Sequence, residues 1–338
     1  MDISFSIIVP VYNRPDEIRE LLQSLFLQTS KDFEVVIVED GSTLTCENVC
    51  REYRDKLNLK YFAKPNTGRS DTRNYGMDRA SGNYFIFFDS DCVIPPKYIE
   101  IIRLNLSTNY VDCFGAPDTD DKSFSNTQRA ISYAMTSFFS TGGIRGGKSK
   151  NFVPRSFNMG FSKDVYAKVG GFRNMIGEDQ DISIRIKDAE FSTALFKNAV
   201  VYHKRRVSLK KFYRQTNTFG KGRMVLYKLH RNSLRFMHLM PLFFVGGNIL
   251  LLVLSFFCLW FLCPIAVYIV AVFFDSLYRN KNIAIAAVSV VAVYTQLFGY
   301  GLGLLDEILT SRAWKITHTS LQHCKSNRQI NSQEKLYK

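Results

Sequence analysis

Two aspartates, Asp89 and Asp91, flank a single serine just after the hydrophobic run Tyr84 to Phe88. On a tight turn after a buried strand, both carboxylates can reach a divalent cation that already holds a diphosphate. Mg2+ and Mn2+ favour oxygen ligands, and Mg2+ commonly sits between a carboxylate or two and phosphates while keeping several waters. Such a cation neutralises the charge of a departing nucleoside diphosphate. A second acidic cluster, Glu178, Asp179 and Asp181, could supply a general base that takes the proton from an attacking hydroxyl. Acids in that spacing also suit the first turn of a helix, where the dipole favours them. Asp40, flanked by Glu39 and Gly41-Ser42, can accept hydrogen bonds from a base or ribose, although Asp-Gly is also a common turn signal. Arg69 and Arg73 lie four apart, on one side of any helix that contains them, and His203 is the only histidine in the first 220 residues.

These groups need elements to bring them together. Phe5 to Val11, Phe33 to Val38, Leu59 to Ala63 and Tyr84 to Phe88 are short runs of strand formers. Between them, Pro15 to Gln28, Thr45 to Asp55 and Gly68 to Ala80 have helical character. Pro15 suits the first helical position, Asp16 and Glu17 the first turn, and Ile18, Leu21, Leu22, Leu25 and Phe26 make one apolar face. Alternating helices and near-continuous apolar strands predict a mostly parallel α/β sheet. Ligands of such sheets bind beyond the carboxyl ends of the strands. The polar clusters sit at those ends: Tyr12-Asn13, Glu39-Asp40, and Asp89 with Asp91. Val200 to His203 reads as a further short strand ending in histidine, and Thr141 to Lys150 as a glycine-rich basic loop.

Composition narrows the class. Lys and Arg number 44 against 30 Asp and Glu, a net charge of +14. The excess is uneven, with no acid between Phe191 and Phe274. Eleven Lys and Arg residues fall between Lys204 and Arg235, interleaved with aromatics and leucines as on an amphipathic helix. With no acid among them, they suggest an anionic lipid surface. From Leu239 to Phe274 the chain runs 36 residues without Asp, Glu, Lys, Arg or His, and from Ile283 to Leu305 another 23. A spanning helix needs about 20 apolar residues. The first run has room for two spans, with Cys263-Pro264 as the break. Three spans from a cytosolic start would put the basic tail outside, against the positive-inside tendency. Two full spans, with the third segment re-entrant or interfacial, avoid that conflict. The seven cysteines have no metal-site spacing and suit a reducing setting. No secretory signal peptide is read at the start, and no nucleic-acid-binding motif is present.

Several stretches together resemble the family-2 glycosyltransferases. They are Phe5-Ser-Ile-Ile-Val-Pro-Val-Tyr-Asn13, Val38-Glu-Asp-Gly-Ser42, Asn66-Thr-Gly with Arg73-Asn74, Gly82-Asn-Tyr-Phe-Ile-Phe-Phe-Asp-Ser-Asp91, Gly170-Gly171-Phe172, Gly177-Glu-Asp179 and Val201-Tyr-His203. The resemblance covers roughly residues 4 to 222 and implies a GT-A fold, Rossmann-like with a mostly parallel sheet. It implies inverting transfer of a sugar from a nucleotide-sugar donor with Mg2+ or Mn2+. By the same resemblance Pro10, Tyr12, Asn13 and Asp40 line the nucleotide pocket, with Arg69, Arg73 and Asp89 contacting the donor. Asp91, Asp89 and His203 would hold the metal, with Asp91 the direct ligand, and Asp179 would be the general base. Departures are Glu39 where Asp is usual, Arg173-Asn174 where acids are common, and a missing glycine near Ala189. The Gln-x-x-Arg-Trp signature of processive synthases is absent, which favours transfer of a single sugar.

The expected arrangement is a catalytic domain over residues 1–203, basic amphipathic helices over 204–238, two or three transmembrane helices over 239–306 and a basic polar tail over 307–338. The expected protein is a multi-pass enzyme of the cytoplasmic (inner) membrane, its catalytic domain cytosolic. It would move a sugar from a donor, a UDP-sugar first among candidates, to a lipid-linked or glycolipid acceptor of the cell envelope. The alternative is a non-catalytic membrane subunit or sensor that keeps the nucleotide-binding fold; Asp89, Asp91 and Asp179 together argue against it.

Overall fold

The computed structural model describes residues 2–119, 124–142, 152–203 and 208–310. Most of the glycine-rich loop, the basic residues 204–206 and the polar tail from 311 onward lie outside the described residues. In the first third, β1 (Phe5–Val11), α1 (Pro15–Phe26), β2 (Phe33–Asp40), α2 (Glu47–Tyr53), β3 (Leu59–Lys64), α3 (Arg69–Arg79) and β4 (Tyr84–Phe87) follow the predicted alternation. Next come β5 (Cys92–Val93), α4 (Tyr98–Thr108), β6 (Cys113–Gly115), β7 (Asp118–Thr119), α5 (Asn126–Thr136), α6 (Phe138–Thr141), β8 (Met159–Ser162), α7 (Lys163–Val169), α8 (Glu178–Asp188), β9 (Thr193–Leu195) and β10 (Val201–His203).

The seven-stranded sheet has the order β3-β2-β1-β4-β8-β6-β9. Its first four strands are parallel, and β8 is antiparallel to both β4 and β6. Successive strand residues face opposite sides of a sheet, and β1 shows it. Ile7 and Val9 enter one core with Ile18, Leu21 and Leu25 of α1, while Ile8 enters a second with Met77 of α3 and Ile182 of α8. Both faces are covered, so the central strands are apolar throughout. A second, three-stranded sheet of order β5-β10-β7 lies just past β4. In it His203 is paired opposite Cys92, which carries the end of β10 to the Asp89–Asp91 turn.

The remaining helices are α9 (Leu209–Leu229), α10 (Met240–Ser255), α11 (Cys263–Asn280) and α12 (Ile283–Thr310). The stretches Leu259–Asn280 and Ile283–Thr310 are long and apolar enough to cross a bilayer, with 22 and 28 residues. The first apolar segment, α10, has 16 residues, short of the about 20 a span needs. The short segment of the three is therefore the first, where the sequence argument about charge had made the third the exception. Phe256, Phe257 and Trp260, in the link from α10 to α11, are 89%, 85% and 79% exposed.

Helix α9 is bound to α12 backbone to backbone. A Cβ on Gly220 would come within 2.1 Å of the Tyr300 carbonyl oxygen, and one on Gly303 within 2.1 Å of the Asn217 carbonyl oxygen. Only glycine permits that approach. Lys221 of α9 pairs with Asp306 at 2.6 Å and Lys228 with Glu307 at 3.0 Å. The basic segment is thus partly neutralised by acids some 80 residues on, which a local reading of its charge had not reached. Lys210, Lys211 and Arg214 remain exposed. α5 lies within residues 1–203, yet Ala130, Ile131 and Ala134 share a core with Phe212 of α9 and with Ile285, Ala292 and Val293 of α12.

Candidate active site

The carboxyl ends of β1, β2 and β4 meet the starts of α3 and α8 and the end of β10. Asp91 is the most tightly held acid of the first cluster. Arg14 donates to its Oδ2 at 2.7 Å, and His203 Nε2 lies 3.1 Å from its Oδ1. Burial alone would raise the Asp91 pKa, but the hydrogen bond and charge of His203, with Arg14, hold it well below the usual carboxylate range. The His203 ring stacks on Phe157 at 4.9 Å, and its Nδ1 lies 3.6 Å from Asp118 Oδ2. Burial opposes its charged form, yet Asp118 and Asp91 raise its pKa to about 9.

Donor atoms of Asp91, Cys92 and His203 all lie within 4.8 Å of one another. A carboxylate and an imidazole on one side of a polar cleft fit Mn2+ or Mg2+, with further positions left for phosphate and water. Cys92 does not belong to that donor set. Burial pushes its thiol pKa well up, and its Sγ faces the Phe157 carbonyl at 3.6 Å. Asp89 is turned elsewhere: its Oδ1 accepts from Arg73 Nη2 at 2.7 Å. The structure therefore brings Asp91 and His203 together and sets Asp89 beside an arginine.

The second acidic cluster separates into three different environments. Asp181 is fully buried and held by Arg185 at 2.8 Å, Arg173 at 3.1 Å and His230 at 2.8 Å. Glu178 is 3% exposed and shared by Arg69 at 2.7 Å and Arg73 at 3.2 Å. Among the described residues, Asp179 has a long contact to Arg155, at 3.4 Å, and a hydrogen bond from the Gln180 N–H at 2.8 Å. At 17% side-chain exposure it is the acid of the three that opens to the cleft. Gly177, left-handed at φ 85°, ends the approach loop and starts α8 one residue before Glu178.

The nucleotide-side residues divide similarly. Tyr12 is 52% exposed at the end of β1, with Pro10 two residues before it on the same strand. Asn13 adopts φ 54°, which Asn tolerates better than most residues. Its Oδ1 accepts from the backbone N–H groups of Thr43 and Leu44 at 2.8 and 2.9 Å. That acceptor is committed to holding the loop after β2. Asp40 is likewise committed: it accepts from the N–H groups of Thr67 and Gly68 at 3.0 Å each, and from Lys64. Burial would raise its pKa, but Lys64, the Thr67 amide and the Thr72 hydroxyl lower it. Asp40 thus fastens the β2 end to the start of α3, and Gly41 keeps the turn tight, since a Cβ there would sit 2.6 Å from the Asn66 nitrogen.

Arg14, Asp118 and Arg155 were not singled out from sequence. Arg14 directly follows the Tyr12-Asn13 cluster, a signal that was present. Asp118 and Arg155 stand in no motif, and only the folding of β7 and of the segment before β8 brings them in.

Residues 6–170 match the family model described as glycosyl transferase family 2. That stretch is similar to the family, and the sheet-bearing part of the chain has a fold of the GT-A type. Glycosyltransferase GlyA of Streptococcus pneumoniae is 39% identical over 103 residues, 30% of this chain and 15% of GlyA. An uncharacterized glycosyltransferase of Rickettsia conorii is 39% identical over 100 residues, 30% of this chain and 17% of that protein. The chain thus spans a small part of these curated relatives. Glycosyltransferase AglE of Haloferax volcanii is 27% identical over 251 residues, covering 72% of this chain and 80% of AglE. Among solved structures, a mannosyltransferase from Pyrobaculum calidifontis, in complex with GDP-Man and Mn2+, aligns over 92% of this chain and 88% of its own. Its TM-score is 0.59 at 16% identity, a likeness of fold.

Proposed function

We propose that the chain is a membrane-bound, inverting glycosyltransferase that moves one sugar from a nucleoside-diphosphate sugar to a lipid-linked acceptor. The observation that carries this reading is the pairing of Asp91 with His203 on one side of a GT-A cleft with the open carboxylate of Asp179 on another. The Pyrobaculum calidifontis mannosyltransferase, in complex with GDP-Man and Mn2+, supports a nucleotide-sugar donor and a divalent metal. The exposed apolar link Phe256–Leu262 and the two long apolar helices support a membrane setting.

In this reading the face of Tyr12 receives the base, and Asp40 fixes the loop that walls the pocket. Asp91 and His203 hold Mg2+ or Mn2+, which, when bound, offsets the charge of the leaving diphosphate. Arg73 keeps Asp89 at the donor side. Asp179 takes the proton from the acceptor hydroxyl as it attacks the anomeric carbon from the face opposite the leaving group. Asp181 and Glu178 serve as anchors for α8, because Arg173, Arg185 and His230 occupy the one carboxylate and Arg69 and Arg73 the other.

The test is a screen of nucleotide sugars against the purified chain with Mn2+ or Mg2+, reading slow release of nucleoside diphosphate. Release that EDTA stops and that Asp91→Ala lacks is the expected result. Release undiminished in EDTA would remove the metal from the reading, and no release from any donor would favour a non-catalytic subunit.

A further inference from the structure

Three basic groups from separate parts of the chain gather at the start of α8. Arg155, ahead of β8, reaches Asp179 Oδ2 at 3.4 Å. Arg223, on α9, donates to Gln180 Oε1 at 2.5 Å. His238 stands in the turn before α10, and its Nδ1 accepts the Arg235 backbone N–H at 3.0 Å. A ring nitrogen that accepts is unprotonated, so Nε2 is the N–H donor of a neutral imidazole. Burial, with the charges of Arg223, Arg235 and Arg155, pushes the His238 pKa down to about 3. Burial also lowers that of Arg223, against the opposing hydrogen bond and charge of Tyr300, with Arg155 lowering it further and Asp179 raising it. Among the described residues, Arg223 has no ion pair with a carboxylate. Asp179, the acid paired with Arg155, is the one the reaction leaves free to accept a proton.

A half-buried cluster with excess positive charge is costly unless an anion completes it. The position of the cluster says which anion. It adjoins Asp179, on the acceptor's side of the cleft, and His238 stands two residues before Met240, where the first apolar helix begins. Gly222, one residue from Arg223, packs directly on Ile176 of the loop leading to Asp179, so α9 sits against that loop without a spacer. An anion held there has one side toward the base and the other toward the apolar helices.

We propose that Arg155, Arg223 and His238 form an acceptor-side anion site for the phosphate or diphosphate that joins a lipid-borne acceptor to its lipid. This deepens the proposed reading and rests on it. Two guanidinium groups offer paired donors to phosphate oxygens, and the neutral His238 Nε2–H adds one more without raising the local charge. The acceptor hydroxyl is then presented to Asp179 while its apolar chain runs along α10.

The same chemistry could be satisfied by the donor's diphosphate or by free phosphate, so the test has three arms. The full chain in detergent is titrated with a short-chain prenyl phosphate, with inorganic phosphate, and with a nucleoside diphosphate plus Mn2+, each followed by thermal shift. Wild type should bind the prenyl phosphate well ahead of inorganic phosphate. Arg155→Gln and Arg223→Gln should each weaken it at least about ten-fold, with nucleotide binding retained. Arg223→Lys, which keeps the charge, should lose less and guards against misfolding as the cause. Loss of nucleotide binding with prenyl phosphate binding intact would assign the cluster to the donor and overturn the proposal. Equal binding of inorganic and prenyl phosphate would overturn the lipid. Failure of wild type to bind any nucleoside diphosphate would instead count against the glycosyltransferase reading itself.

Discussion

Arg73 donates from Nη2 to Asp89 Oδ1 over 2.7 Å, and the guanidinium that does so is only 2% exposed. Its Nη1 lies 3.2 Å from Glu178, so a single side chain from α3 joins the turn after β4 to the first residue of α8. Phe172 packs under it, 5.4 Å from the guanidinium carbon. Removing one partner of a buried pair costs more than the pair contributes, because the other charge is left behind. Arg73→Met should therefore lower stability by about 3–5 kcal/mol, read as a fall in the midpoint of unfolding in detergent. Arg73→Lys should cost less but free Asp89, since an ammonium lacks the two-pronged donor. A Met variant that melts with wild type would show that the pair has no structural weight.

Asp179→Asn keeps the shape of the side chain and cannot take a proton. Turnover should fall about 10²- to 10⁴-fold, the usual range for loss of a general base, with nucleotide binding kept. Glu178→Gln should act differently, through stability, because Glu178 is locked between Arg69 and Arg73. Steady-state kinetics beside unfolding curves separate the two. Were Glu178→Gln inactive but stable and Asp179→Asn active, the base would be Glu178.

The parallel strands, their helices and the strand-end clusters were legible because each is written locally: a period of two or of 3.6, a proline at a helix start, an acid after a buried run. The sorting of acids was not. Asp179 and Asp181 stand two apart in one motif, and what distinguishes them is that Arg173, Arg185 and His230 converge on Asp181. Those partners come from α8, its approach loop and the end of α9, so no spacing rule joins them. The commitments of Asp40 and Asn13 to neighbouring loops were hidden in the same way. The short strands β6 to β9 gave little signal, since two to four residues cannot show a period.

Acid should loosen the far end of the sheet. Glu34 is 4% exposed and paired with Lys60 at 2.7 Å. Burial pushes its pKa up, but Lys60, Ser6 and Ser81 outweigh burial and hold it at about 2, against an ordinary 4.5. The unfolded chain takes up this proton first as pH falls. The stabilisation is therefore complete above about pH 4.5 and drains away toward pH 2. Glu34→Gln should be less stable than wild type at neutral pH, and the gap should narrow from about pH 5 down to about pH 2. A gap independent of pH would mean that shape, not charge, supplies the difference.

On α9 the charges fall into two groups. Lys221 and Lys228 answer Asp306 and Glu307, whereas Lys210, Lys211 and Arg214 are exposed. Changing the exposed three to Gln should weaken binding to anionic vesicles by about 1 kcal/mol per residue and leave binding to neutral vesicles alone. Lys221→Gln should instead loosen the helix pair in either setting. Flotation with the two vesicle types decides; equal losses on both would remove the lipid role from the exposed trio.

The shared core of α5 with α9 and α12 also orders the chain's biogenesis. α5 emerges in the first half of synthesis, but Ile285, Ala292 and Val293, which cover Ala130 and Ile131, are made long after. Contacts so distant in sequence form late. Until α12 arrives, α5 presents its apolar face while the neighbouring sheet can already close. A chain arrested before Ile283 should thus be a client for chaperones rather than a small, self-sufficient domain, and maturation of the cleft should wait on the packing of α12 against α5.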